Sequence, residues 1–188
     1  MSAAKLPPGQ HLAVGWPRLD LGIVPRFDPT SWTLRIDGLV ERPAVLTWDR
    51  LLALPATALT ADFHCVTGWS KLGNRWEGVA FRTVTDLVRP KPEAAHVVLT
   101  CADAGYTTNL PLAALMDDDV LLAYRHDGKP LALEHGGPLR LVVPKRYGWK
   151  SAKWVRQITF VDRDEPGYWE VRGYSNTADP WTEDRYSL

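Results

Sequence analysis

The sequence holds only two cysteines, Cys65 and Cys101, and neither belongs to a Cys-x-x-Cys pair. That excludes a disulfide framework and a structural zinc site. Net charge is missing too: 22 basic residues balance 22 acidic ones, so there is no general basic footprint for nucleic acid. No apolar run approaches the roughly 18 residues of a membrane span. HExxH, GxSxG, P-loop and GxGxxG patterns are all absent, and the histidines at 11, 64, 96, 126 and 135 lack metal-ligand spacing. The first residues carry no apolar signal core and no twin arginine, so the expected location is cytoplasmic. Phenylalanine is scarce, four against nine tryptophans. A buried indole N–H wants a partner, so this bias suits either a rich aromatic core or polar pockets.

The 188 residues are enough for one domain with a real core, and 1–188 is expected to be a single domain. Prolines at 7, 8, 17, 25 and 29 make the first thirty residues loop-like, with 1–15 as a loosely packed arm. Period-two alternation predicts a strand over 32–38. Thr47 predicts the start of a short helix over 48–54, closed by Pro55. A strand over 57–65 is expected to run into a glycine loop, 68–78. A helix follows over 81–88, ended by Pro90, and a buried strand over 95–101. After Asp103 the reading is a polar loop, then a helix over 111–116. Strands are expected over 120–125, 139–143 and 155–161, with an irregular tail. Short helices scattered among strands, with no regular βαβ alternation, predict an α+β fold with mixed sheets.

Two segments carry candidate chemistry. Cys65, in His64-Cys65-Val66-Thr67-Gly68-Trp69-Ser70, ends a predicted strand and enters a loop. On these residues alone it can be an inert core thiol, a nucleophile or a soft metal ligand. Cys101 lies inside an apolar strand and reads as structural. The second segment runs from His135 to Lys153. It joins two glycines to Arg140, Lys145, Arg146, Lys150 and Lys153. Clustered cations beside close-approach backbone suit a phosphate-bearing anion, or else form a solvated loop.

Taken in order, these segments resemble the molybdopterin-binding domain of the sulfite oxidase family. That family includes sulfite oxidases, assimilatory nitrate reductases and the catalytic subunit of periplasmic methionine sulfoxide reductase. The resemblance spans about residues 16–181. It is strongest over 136–153, which reads like the pattern G-G-P-L-R-L-V-V-P-x-x-Y-G-x-K-x-x-K. It implies an α+β fold, molybdenum-molybdopterin as cofactor, and oxygen-atom transfer on a small substrate. By position it implies Cys65 as the molybdenum ligand. It also implies Thr100, His135, Arg140 and the tripeptide Ser151-Ala152-Lys153 as cofactor contacts, and Tyr174 and Arg18 beside the substrate.

Two departures matter. Sulfite oxidases carry an arginine shortly after the metal-binding cysteine, where this chain has Gly68-Trp69-Ser70. Sulfoxide or N-oxide reduction is therefore expected over sulfite oxidation. The family's immunoglobulin-like dimerisation domain and a haem domain are not seen. The expected protein is a monomer served by a separate electron-transfer partner, with no nucleic-acid or membrane partner. Two other readings stay open: a hydrolase or transferase using Cys65 with His64 or His135 as base, and a molybdopterin-binding module without turnover.

Overall fold

The computed structural model describes residues 5–187. The strands are β1 (His11–Leu12), β2 (Thr33–Gly38), β3 (Ala44–Thr47), β4 (Ala56–His64), β5 (Trp69–Ala80), β6 (His96–Cys101), β7 (Thr107–Pro111), β8 (Leu121–His126), β9 (Lys129–Pro130), β10 (Arg140–Val142) and β11 (Val155–Val161). The helices are α1 (Trp48–Leu52), α2 (Phe81–Val88) and α3 (Leu112–Leu115). Among the described residues no helix is long and apolar enough to cross a membrane.

One sheet runs β1-β5-β8-β10, with β4 also on β5 and β9 on β8; the other runs β3-β2-β11-β6-β7. Most neighbours are antiparallel, but β1–β5 and β2–β11 are parallel. The sheets are therefore mixed and the helices short, as the α+β reading expects. Alternate residues of β2, β6 and β11 (Leu34, Ile36, Val97, Leu99, Ile158, Phe160) fill the main core, and α2 adds Phe81, Val84 and Val88. The Thr47 hydroxyl accepts from the Arg50 N–H and starts α1.

Two stretches read as loops are strands. Residues 68–78 were expected to be a glycine loop, but most of them belong to β5, the twelve-residue partner of β4. Gly78 is there for proximity: a Cβ on it would lie 2.0 Å from the Leu122 carbonyl oxygen of β8. Gly68, at φ 94°, turns the chain, and Gly73, at φ 65°, sits where the β4–β5 register shifts. The polar residues after Asp103 form β7, an edge strand on β6. Its polarity hid it, because buried Thr108 and Asn109 bond to Glu170, Asp164 and Asn176 on the C-terminal segment rather than to water.

The N-terminal arm is more firmly held than a loose 1–15 would be. Residues 1–4 of that reading lie outside the described residues. Beyond them, Pro7 is buried, β1 pairs with β5, and Gln10 bonds to both the Cys65 carbonyl and Ser70. The arm thus packs on the loop that carries Cys65.

Candidate active site

The β4–β5 connection places Cys65. The Cys65 N–H donates to the Trp69 carbonyl, and the Gly68 N–H donates back to the Cys65 carbonyl, closing a tight turn. Gln10 Nε2 donates to the Cys65 carbonyl at 3.1 Å, and Arg185 donates to the Val66 carbonyl. Backbone and both terminal segments thus fix the loop. The Sγ lies 3.2 Å from the Thr67 hydroxyl.

Cys65 borders a cavity of about 310 Å³. On its side of the cavity stand Val66, Thr67, Trp69, Trp149, Trp169 and Tyr174. Val66, Trp169 and Tyr174 pack on the Tyr147–Trp149 cluster, and Trp69 stacks on Phe63 at 5.8 Å. The Trp149 indole N–H is held by Glu170 Oε1 at 3.0 Å. Glu170 in turn pairs with Lys150 at 2.6 Å, both side chains essentially sealed from water. Lys150 is therefore a structural cation that fixes this aromatic wall.

The cavity also reaches His135, Arg140 and Lys153. Arg140 starts β10 and is buried. Its Nη1 donates to the His135 carbonyl at 2.8 Å and its Nη2 to the Ser151 carbonyl at 2.9 Å. The guanidinium lies over Phe63, Trp76 and Trp16, 5.1–5.9 Å from the ring centres. No carboxylate pairs with it among the described residues. Burial pulls even its pKa down to about 10. Lys153 is pulled to about 8, by burial first and then by Arg140. A buried guanidinium with only carbonyl partners is an uncompensated charge, and an anion entering the cavity would compensate it. Gly136 keeps this end open: a Cβ there would press within 2.8–3.1 Å of the Lys153 and Arg140 side chains. These features fit the anionic end of a phosphate-bearing cofactor.

The structure brings most of the sequence candidates together. Cys65, Arg18, His135, Arg140, Ser151, Ala152, Lys153 and Tyr174 all line the cavity. The Ser151 hydroxyl accepts from the Val143 N–H, so its side chain braces the loop. Arg18 is ion-paired with Asp20. His135 lies flat on Trp16, ring centres 3.9 Å apart, and burial pushes its pKa down. Tyr174 packs edge-on to Trp149, and burial pushes its hydroxyl up.

Thr100 is the exception. Leu99 and Cys101 turn into the core, so strand alternation sends Thr100 to the other face of β6, and it does not line the cavity. The cations Lys145, Lys71 and Arg172 are occupied elsewhere, by Asp117, by Asn74 with Asp127, and by the Tyr168 carbonyl. The cysteine–histidine pair of a hydrolase is not formed. His64 Nδ1 bonds to Ser70 Oγ at 2.7 Å, and the His135 ring is stacked under Trp16.

Reading the sequence missed Asp103, Tyr106, Trp16, Phe63 and Asp20, all of which line the cavity. Asp103 is the notable one. It is buried, and its Oδ1 has no hydrogen-bond partner. The signal that singled out Cys65, a chemical side chain where a strand gives way to a loop, applies equally to Asp103 after β6.

Burial lifts the Asp103 carboxyl from 3.8 to about 6. Between about pH 4 and 6 this carboxyl therefore keeps its proton in the folded protein and loses it in the unfolded chain. Its contribution to stability falls as pH rises through that window, and its cost is fully in place above it. In cofactor-free protein, Asp103→Asn is expected to remove this slope and to gain about 1 kcal/mol at pH 7, discounted because the carboxyl faces the open cavity. Urea unfolding at pH 4, 5, 6 and 7 measures it, and an unchanged slope would contradict the assignment.

Among the described residues no three His, Cys, Asp or Glu side chains converge as a metal site. A metal beside Cys65 would take its other ligands from a cofactor. The comparisons with known proteins point to such a cofactor. Residues 21–169 match the family model of the oxidoreductase molybdopterin binding domain. The chain belongs to this family, the sulfite oxidase family of molybdopterin-dependent oxidoreductases.

Among its relatives is the Bacillus subtilis (strain 168) protein named "Uncharacterized oxidoreductase YuiH". It is 44% identical over 186 residues, 98% of this chain and 93% of that protein. The protein-methionine-sulfoxide reductase catalytic subunit MsrP of Gluconobacter oxydans is 34% identical, over 76% of this chain and 51% of its own length. The mitochondrial sulfite oxidase of Drosophila melanogaster is 30% identical, over 83% of this chain and 32% of its own. The sulfane dehydrogenase SoxCD of Paracoccus pantotrophus is a structural neighbour with a TM-score of 0.69 and 30% identity. The match covers 74% of this chain and 40% of that one. The chain thus spans nearly all of YuiH but about a third to a half of these other relatives. The protein is an enzyme of this family and its cofactor is molybdenum-molybdopterin.

Proposed function

We propose that the protein transfers an oxygen atom from a small sulfoxide or N-oxide, with Cys65 as the one protein ligand of molybdenum. When bound, the cofactor supplies a two-electron redox change coupled to oxygen-atom transfer. A thiolate suits this metal as a soft, electron-rich donor. Arg140, Lys153 and His135 would hold the anionic end of the cofactor through charge-assisted bonds. Asp103, with its free acceptor oxygen, would take an N–H of the heterocycle. Tyr174 would donate to the substrate oxygen and orient it, while the tryptophan walls keep water out. Arg18, paired with Asp20 beside Lys153, stands toward the anionic end instead. Electrons come from a separate partner protein.

One observation carries the substrate preference. The wall beside Cys65 is built from Val66, Thr67, Trp69, Trp149 and Trp169, with no cation among them. A small dianion such as sulfite would lose a charge-assisted contact there, worth about 1.5–3 kcal/mol or ~10- to 150-fold in affinity. A neutral, partly apolar oxide loses nothing. On one loaded preparation, kcat/KM with an artificial electron donor and a sulfoxide or N-oxide should exceed kcat/KM for sulfite with an acceptor. A clear preference for sulfite would overturn the reading.

A further inference from the structure

Six consecutive residues, 16–21, form one wall of the cavity, yet few hydrogen bonds hold them in place. The Ala13 N–H still donates to Ser70. From there to residue 27, the one hydrogen bond to the rest of the chain among the described residues runs from Lys153 Nζ to the Leu19 carbonyl, at 2.6 Å. Side-chain packing supplies the rest. Trp16 lies flat on His135 and also meets His126 and Trp76, with ring centres 4.4 and 5.6 Å away, and Leu21 packs on the main core. The Asp20 carboxylate sits between Arg18 and Lys153, 3.6 Å from the Lys153 ammonium. The Asp20 side chain is only 5% exposed. The outer surface of this stretch leaves Val14, Leu19 and Ile23 in solvent.

Glycines bracket the wall. Gly15 has φ 70° and Gly22 has φ 89°, and a Cβ on either would meet nothing within 4 Å. Space does not demand glycine at either position. The left-handed backbone does, and glycine can leave that conformation as easily as it enters it. Sparse hydrogen bonding between two such residues leaves side-chain contacts, chiefly those of Trp16 and Asp20, as what keeps the segment closed.

The wall is fastened to His135 and Lys153, the same two side chains that stand at the anionic end of the cavity. Anything that fixes those two side chains also favours the closed wall. By reciprocity, a weaker fastening lets the bound group go sooner.

We propose that residues 16–21 are a flap, hinged at Gly15 and Gly22, that opens to admit the molybdopterin cofactor and closes on it. Asp20 is the positioning residue that latches the flap to Lys153. The inference rests on cofactor binding by this family and is independent of the substrate.

Hydrogen exchange read by mass spectrometry tests it, on two preparations. One comes from a host that cannot make molybdopterin. The other comes from a host that can, and its pterin content is measured first. Amides of residues 14–24 should exchange at least about tenfold faster in the cofactor-free form, while the β11 peptide is unchanged. Loaded Asp20→Asn, with β11 protection intact, should release molybdopterin about fivefold faster or more, and Asp20→Glu should restore retention. Equal exchange over 14–24 in the two preparations would show a fixed wall and overturn the flap. Release from Asp20→Asn at the wild-type rate would overturn the latch.

Discussion

Cys65→Ser is expected to reduce turnover to background while the fold stays intact. Among the described residues, the substitution removes the one thiol bordering the cavity but nearly keeps the size of the side chain. The turn around it is held by backbone bonds and by Gln10 and Arg185, none of which involves Sγ. The new hydroxyl lies within reach of Thr67, so the stability change should stay within about 1 kcal/mol. Cys101→Ser should do the reverse. Cys101 is buried at the end of β6 among core residues, and burial drives its thiol pKa well up, as for an inert thiol. A serine there should cost about 1–3 kcal/mol and leave activity per loaded chain unchanged. Steady-state assays normalised to molybdenum content, beside urea unfolding of each variant, separate the two. Activity surviving in Cys65→Ser would sink its role as ligand.

Arg140→Ala is expected to purify nearly free of molybdopterin. The guanidinium is the deepest cation in the cavity, and the described residues give it carbonyl oxygens but no carboxylate. Losing a charge-assisted bond to a phosphate costs about 1.5–3 kcal/mol, or ~10- to 150-fold in affinity. The same truncation strips donors from the His135 and Ser151 carbonyls, so a loss of loading alone could reflect a disturbed loop. Arg140→Lys keeps the charge without the fork, and it should load between the wild type and Arg140→Ala. Lys91→Ala, in the exposed stretch before β6, should load fully. Pterin content per chain decides, and equal loading of Arg140→Ala and Lys91→Ala would return the basic segment to an ordinary solvated loop.

Much of this site could be read from the chain because its parts sit at sequence punctuation. Cys65 follows an alternating strand and precedes a turn. His135, Arg140 and Lys153 share one ordered run of glycines and cations. What stayed hidden depends on pairing that no local pattern encodes. The glycines of β5 look like breakers until β8 crosses beside Gly78. β7 looks like a loop because the partners of Thr108 and Asn109 lie more than fifty positions away. Thr100 matched by spacing, yet its side of the strand was set by Leu99 and Cys101, whose burial is a tertiary fact. The burial of Arg140 is tertiary as well: an arginine starting an apolar strand can snorkel to solvent, but here three aromatic rings and two carbonyls take it inside. Asp103 went unread because the turn signal after it explained the residue without any ligand.

The central claim is that the cavity bordered by Cys65 and Arg140 holds molybdenum-molybdopterin. The most direct test is the molybdenum and pterin content of wild-type protein, purified from a host that supplies the cofactor, read beside Cys65→Ser and Arg140→Ala. Near one molybdenum and one pterin per wild-type chain are expected, with pterin falling steeply in Arg140→Ala and the sulfur count around the metal falling by one in Cys65→Ser. Folded wild-type protein carrying neither molybdenum nor pterin, or variants loaded and ligated as the wild type is, would contradict it.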